Sequence, residues 1–262
     1  MHPLRQHLLS PDEPSPITVL REHAASAFLV ACEHAGQRIP HRLGDLGLPA
    51  SELTRHIAWD IGAGAVSCLL GEALGATTTL QTYSRLVIDC NRSPEVASSI
   101  VELSENTPIP GNIGISAEER QARRREIFAP YHDRLATLLD ARARASRPTL
   151  LIAMHSFTPV YRGEQRRWHV GVLYNRDPRL ARPLLDLLRA EGDLVVGDNE
   201  PYFVADITDY TVPVHGERRG LPHVELEIRQ DLIGDAAGQR AWAGRLARLL
   251  PEAARRLEQD QP

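Results

Sequence analysis

Two stretches of the chain, AFLVAC at residues 27–32 and LLIAM at 150–154, are apolar from end to end. A strand with one face in water alternates apolar and polar residues, so runs without alternation belong to strands buried on both faces. Such a sheet needs helices on each side, and the chain supplies them. From Thr54 to about Leu74, apolar residues recur at helical spacing through Ile57, Ile61, Ala65 and Leu69 until Gly75 offers a stop. Ser116, followed by Glu118 and Glu119, opens an arginine-rich amphipathic helix that runs to about Ala145, before Pro148. Pro178 to Glu191 and Ala236 to about Leu257 read as two more. Between them lie the β-rich pieces TTTLQTY, LVID, HVGVLY, DLVVGD and VELEI. Strands alternating with helices predict a single three-layer α/β domain whose mainly parallel mixed sheet is covered by helices on both faces.

No linker, repeat or low-complexity tract divides the 262 residues, so one domain is expected over 1–262. Residues 1–22 mix proline and charge and read as an irregular lead-in that drapes over the body. The stretch from Ser93 to about Ser116 holds several prolines and glycines, and a loop of that length is usually functional or mobile.

Composition narrows the chemistry. Hydrophobic residues make up 42% and charged residues 24%, a balance that buries a full core. The formal net charge of -4 creates no basic field, so neither nucleic acid nor an anionic membrane is an expected partner, and a small molecule is. There is no lysine, and all 30 Lys+Arg residues are arginine. Schiff-base catalysis and a P-loop phosphate site, which both need an amine, are excluded. Arginine's planar fork suits carboxylates, although most of these arginines, including the run Arg123, Arg124 and Arg125, read as a solvated helix face. Cys32, Cys68 and Cys90 have no C-x-x-C spacing, which argues against a disulfide framework or a cysteine-rich zinc module. The start, MHPLRQHLLSPDEPSP, lacks the apolar core of a signal peptide, and a cytoplasmic location is expected.

In open α/β sheets, ligands bind beyond the carboxyl ends of the strands. Those positions are polar here. Glu33 and His34 follow AFLVAC, Asn91 and Arg92 follow LVIDC, His155 and Ser156 follow LLIAM, Asn199 and Glu200 follow DLVVGD, and VELEI contains Glu225 and Glu227. A lone histidine in such a place is more often a hydrogen-bonded structural residue. Two histidines from separate strands with a carboxylate from a third supply the ligand and general-base types of a hydrolytic zinc site with an open position. Asp60, Asp89 or Glu33 could accept from the second nitrogen of either imidazole.

The segments CEHAGQRIP, HIAWDIGA, SRLVIDCNR, MHSF, GDNEPY and HGERRGLPHVELEIRQDLI, in this order, resemble the N-formylglutamate amidohydrolase family over roughly Phe28 to Ile233. The resemblance implies a fold similar to zinc carboxypeptidases and hydrolysis of an N-acyl amino acid, such as N-formylglutamate, to formate and free amino acid. It implies that His34 and His155 bind Zn2+, that Asn91 and Arg92 bind the substrate carboxylate, and that Glu227 is the general base. One feature departs from the pattern. The related peptidases carry His-x-x-Glu as their first two ligands, whereas here the run is His34-Ala-Gly-Gln37. Either Asp60 or Glu33 takes the glutamate's place, or the metal is held weakly, or catalysis proceeds without it. Asp60 is favoured because it stands four residues from His56 on a shared helix face. Gln37 also keeps open a non-catalytic binding protein on the same scaffold.

Glu225 competes with Glu227 for the role of base, since the two lie on one face of a strand and repel. Arg85 and Arg229 are further candidates for a substrate carboxylate, against ion pairs with Asp89 and Asp231. His56, His215 and His223 have polar neighbours and suit supporting roles, with His215 placed at the substrate. Asn199 is a donor to substrate or the cap of a turn before Pro201. Ser156 and Cys32 lack any nucleophile motif.

Overall fold

The computed structural model describes residues 7–259, so the first six residues of the expected lead-in lie outside it. In chain order the elements begin with β1 (Ile17–Leu20), β2 (Phe28–Cys32), the one-turn α1 (Ala50–Leu53), α2 (Ala63–Ala73) and β3 (Thr77–Gln81). A small hairpin of β4 (Leu103–Ser104) and β5 (Thr107–Pro108) precedes α3 (Ala117–Arg123), which passes through a π-helical turn into α4 (Ala129–Arg144). There follow β6 (Leu150–Phe157), a second hairpin of β7 (Val160–Tyr161) and β8 (Glu164–Gln165), β9 (Val170–Leu173) and α5 (Ala181–Ala190). The chain closes with β10 (Val196–Asp198), β11 (His223–Arg229) and α6 (Ala236–Gln259).

Seven strands make one sheet in the order β1-β3-β2-β6-β11-β9-β10. β3, β2, β6 and β11 are parallel, β1 runs against β3 at one edge, and β9 with β10 runs against β11 at the other. Side chains alternate between the faces. Val30, Ile152, Met154 and Leu226 pack against Val66 of α2, Leu184 of α5 and Leu246 of α6. On the opposite face Leu29, Ala31 and Leu151 meet Ile127, Tyr131 and Leu135 of the α3–α4 segment. All 8 residues of β6 are therefore buried, which is why its sequence does not alternate. No helix among the described residues is long and apolar enough to cross a membrane.

Four expectations need correction. The lead-in is not wholly irregular, because Ile17–Leu20 pairs with β3 as an edge strand. The helix expected from Thr54 starts at Ala63, since residues 54–62 form turns and Gly62 at φ 81 cannot continue a helix. LVID is a turn and not a strand: the amide of Val87 donates to the Ser84 carbonyl oxygen and that of Arg92 to Asp89. Arg123 is no solvated arginine. It is fully buried and donates to the Val87 and Gly111 carbonyls and the Asn112 side chain at 3.0, 3.1 and 2.6 Å. It also pairs with Glu119 at 2.7 Å, so a helix-borne guanidinium staples the long 93–116 loop to the body.

Candidate active site

The site is assembled from three parts of the backbone. Glu227 of β11 lies in register with His155 of β6, so their side chains stand next to each other on the α4 face. His34 follows β2, and its carbonyl oxygen accepts from the Asp60 amide at 2.9 Å, which pins the 54–62 turn to the end of the strand. The turn is possible only because residue 62 is glycine: a Cβ there would sit 2.2 Å from the Ile233 carbonyl oxygen.

These constraints bring three acceptor-type atoms together. His34 Nδ1 lies 3.3 Å and His155 Nδ1 2.9 Å from Asp60 Oδ2, and the two Nδ1 atoms are 3.1 Å apart. The outer nitrogens face carboxylates: His34 Nε2 is 2.6 Å from Asp89 Oδ1, and His155 Nε2 is 3.1 Å from Glu33 Oε2. A neutral imidazole carries one proton, and the carboxylate beside each Nε2, hydrogen-bonded for His34 and at ion-pair distance for His155, favours it there. The lone pairs of both Nδ1 atoms then point at Asp60 Oδ2 and at each other, in a group whose ligand atoms lie within 4.8 Å of one another. Three buried lone pairs so close repel unless a cation lies among them, and two imidazoles with a carboxylate are a donor set that divalent metals accept. These residues fit a metal.

The electrostatics agree. Burial opposes charge on His155, but Glu225, Asp60 and Glu33 outweigh it and hold its pKa well above the ordinary value. For His34, burial and Arg85 disfavour the cation, and Asp89 and Asp60 still raise the pKa. Asp60 moves the other way: burial raises it, and the two histidines pull it far below its ordinary range. The outer carboxylates are themselves held. Glu33 is fully buried and accepts from Thr211 Oγ1 at 2.7 Å and Tyr131 OH at 3.4 Å. Burial lifts its pKa, but His155 and Thr211 bring it down to about 2. Asp89 accepts from Arg85 Nη2 at 2.6 Å and from the Asn91 amide at 2.9 Å.

The carboxylates of β11 are the opposite case. Glu227 Oε2 is buried without a hydrogen-bond partner. Burial raises the Glu227 pKa to about 7, with the pull of His155 and the push of Asp60 as smaller influences. Burial likewise lifts Glu225 well above its ordinary range, less the pull of His155, and Asp209 and Glu227 lift it further. Glu227 is poised to exchange a proton near neutrality.

A cavity of about 490 Å3 opens over these groups and is lined by His34, Asp60, His155, Glu225, Glu227 and Arg92 among others. A second hollow, of about 440 Å3, lies beside α2 and β3 with no charged side chain in its lining. The first therefore marks the site. Arg85 and Asn91 also line it. Arg85 is taken up by Asp89 and by Asp60, the latter at 3.3 Å. Asn91 Oδ1 accepts from the Tyr210 and Thr211 amides at 3.1 Å each, so this side chain braces the 209–211 segment. Arg92 is looser, 3.5 Å from Asp89 and 3.4 Å from the Thr208 carbonyl oxygen.

Three residues expected at the substrate lie outside the lining. Asn199 follows β10, whose reversed direction puts its carboxyl end beside the start of β11, at the other rim of the sheet. Its Oδ1 accepts from the Tyr174 amide. Arg229 pairs with Asp231 at 2.8 Å, and His215 is buried against His132. His223 bonds the Leu221 carbonyl, while His56 does line the cavity, 3.5 Å from Glu105. Gln37 is exposed and not in the lining, and His56 and Asp60 share no helix, so the spacing that pointed to Asp60 was not what brings it there. Thr211, Tyr131 and Asp209 have no signal in the sequence. Tyr202 and Phe203 reach the cavity because the backbone doubles back over two paired glycines: a Cβ at Gly171 or Gly197 would lie 2.3 or 2.4 Å from the Glu200 carbonyl oxygen.

A family model described as N-formylglutamate amidohydrolase matches residues 26–234. Among solved structures, a gene product of Agrobacterium tumefaciens is 40% identical, over 96% of this chain and 100% of that one, with a TM-score of 0.93. N-formylglutamate amidohydrolase from Ralstonia eutropha JMP134 shares the fold at 18% identity, over 95% of this chain and 100% of that one, with a TM-score of 0.73. No curated protein matches the chain.

Proposed function

The chain belongs to the N-formylglutamate amidohydrolase family and is an amidohydrolase, and from that premise we propose that it is a zinc enzyme that cleaves the amide bond of a small N-formyl or N-acyl amino acid. The observation that carries the reading is the convergence of His34 Nδ1, His155 Nδ1 and Asp60 Oδ2 beside an unpartnered Glu227.

Zinc held by those three residues would supply Lewis acidity, lowering the pKa of water to about 7 and polarising the acyl carbonyl. Asp89 accepts from the outer nitrogen of His34, and the Glu33 carboxylate stands at ion-pair distance from that of His155, which orients both rings. Arg92 grips the substrate carboxylate, aligning the acyl carbon with Glu227. Glu227 takes a proton from the attacking water and passes it to the amide nitrogen. Water's oxygen bonds to the acyl carbon, the C–N bond breaks, and the carboxylic acid and free amino acid leave.

Protein purified without chelator should contain about one zinc per chain and release amine from N-formyl amino acids. Asp60→Asn should lose both the metal and the turnover. A wild-type chain with no metal affinity and no turnover would overturn the reading.

A further inference from the structure

We propose that Tyr202 is a further catalytic residue: its phenol O–H donates a hydrogen bond to the acyl oxygen as that oxygen gathers negative charge, and Arg166 is the positioning residue that aims it. The assignment rests on the hydrolytic reading above and adds a role within that same site.

The backbone carries Tyr202 to the base. Gly171 of β9 lies in register with both Glu227 of β11 and Gly197 of β10. The Glu200 carbonyl oxygen folds back over this glycine pair, and a Cβ on Gly171 would also stand 3.4 Å from Glu227 Cβ. The segment after β10 therefore turns beside Glu227, and Tyr202, two residues past Glu200, lines the cavity. Glu227 is the charge that acts on the phenol most strongly, followed by Arg166 and Arg85. Arg92, assigned to the substrate carboxylate, is not among these charges, which puts the phenol at the reacting end of the substrate.

The hydroxyl is prepared as a donor. Arg166 Nη1 donates to the Tyr202 oxygen at 2.5 Å, and the phenol's own hydrogen has no acceptor among the described residues. Two other hydroxyls of the lining are already engaged, Ser156 Oγ with the Ile61 carbonyl and Thr158 Oγ1 with that of Val160, at 2.9 Å each. A guanidinium bound to the phenol oxygen polarises the O–H and strengthens the bond that it gives. Arg166 is itself fixed, 4.7 Å over the rings of Tyr161 and Tyr202 and 5.8 Å over Phe157, with its amide donating to the Pro159 carbonyl oxygen at 2.8 Å. Partial burial, and next the charge of Glu227, push the Tyr202 pKa up to about 12, so the phenol keeps its proton and proton transfer stays with Glu227. A fixed donor beside the base, aimed where charge develops, lowers the barrier without tightening the hold on the ground state.

The test uses the zinc-loaded full chain, N-formylglutamate as substrate and the phosphonamidate of glutamate as a mimic of the tetrahedral state. Tyr202→Phe should lower kcat by about 100-fold and move KM by less than about twofold. Its affinity for the phosphonamidate should fall by about the factor lost in kcat/KM. Zinc content should stay at the wild-type level, and so should the Tm, because the side chain is 40% exposed. Arg166→Met should lower kcat by about tenfold in the wild-type background and by less than about twofold beside Tyr202→Phe, because it acts through the phenol. A Tyr202→Phe kcat within about twofold of wild type, or a loss confined to KM, overturns the assignment and leaves the hydrolytic reading standing. Equal losses from Arg166→Met in both backgrounds overturn the positioning role. Absence of turnover by the wild-type chain overturns the assignment together with the hydrolytic reading.

Discussion

Two pairs of buried histidines lie on the α4 side of the sheet, with almost the same nitrogen-to-nitrogen separation and opposite electrostatics. His34 and His155 approach to 3.1 Å, and His132 and His215 to 3.0 Å. In the first pair both pKa values are raised; in the second, burial pushes His132 down to about 4, and burial with the neighbouring His132 pushes His215 down to about 3. The difference comes from what faces the outer nitrogens. His132 Nε2 lies 2.7 Å from the Cys90 carbonyl oxygen, which can only accept, so His132 Nδ1 is left to accept a proton from His215 Nε2. One hydrogen bond joins that pair and leaves His215 Nδ1 buried without a partner, with the Phe128 and Tyr210 ring centres 4.4 Å from His132. Carboxylates on both outer nitrogens of the first pair leave two lone pairs facing each other. Separation alone does not distinguish a metal site from a core contact; the second partner of each ring does.

The sharpest way to break the comparison is Glu227→Gln, because only the first pair has an unpartnered carboxylate beside it. Turnover should fall by about 10²- to 10⁴-fold with the thermal midpoint preserved or raised, since a buried charge with no partner is removed. Activity within a few-fold of wild type would remove Glu227 from the reaction. Next comes Asp89→Asn, which turns the acceptor on His34 Nε2 into a side chain that can also donate. Zinc affinity, read by chelator competition, should weaken by about 10- to 100-fold. Unchanged affinity would mean that the outer carboxylates do not orient the pair.

The smallest effect concerns the second pair and stability against pH in the metal-free protein. Its folded-state pKa values lie below the ordinary 6.5, so the unfolded chain binds more protons in acid. The stability that this pair contributes is present above pH 6.5 and is lost as pH falls toward 4, by about 1.4 kcal/mol per pH unit for each group. The first pair has the opposite sign, contributing below its unfolded pKa and losing that contribution as pH rises through the raised values. Denaturant unfolding at pH 7 and pH 5 should therefore show a smaller acid loss in a His132→Phe/His215→Leu variant than in wild type. Equal losses would mean that the second pair is not held neutral.

Some of this architecture is legible residue by residue. LLIAM announces a strand buried on both faces, and β6 is one. Ser116 before Glu119 announces a helix start, and Ser116 Oγ accepts from the Glu119 amide at 3.1 Å. Other elements mislead because a tertiary contact overrides the local pattern. The spacing of Ile57 and Ile61 reads as helix, yet the turn is set by the bond from Asp60 to the end of β2. Arg123 reads as solvated among its neighbours, yet three loop acceptors pay for its burial.

Taken alone, the order of residues determined the α/β class, the two-sided burial of the central strands and the polar groups that follow them. These depend on alternation and periodicity within a few residues, where burial is a local property of the pattern. Tertiary structure alone decided which histidines meet across 121 positions of chain, and which carboxylates take their outer nitrogens. It also decided that β9 and β10 run backwards, which carries Asn199 to the far rim. The charge and proton of an imidazole are set by atoms within a few ångströms in space, and neighbours along the chain do not specify them.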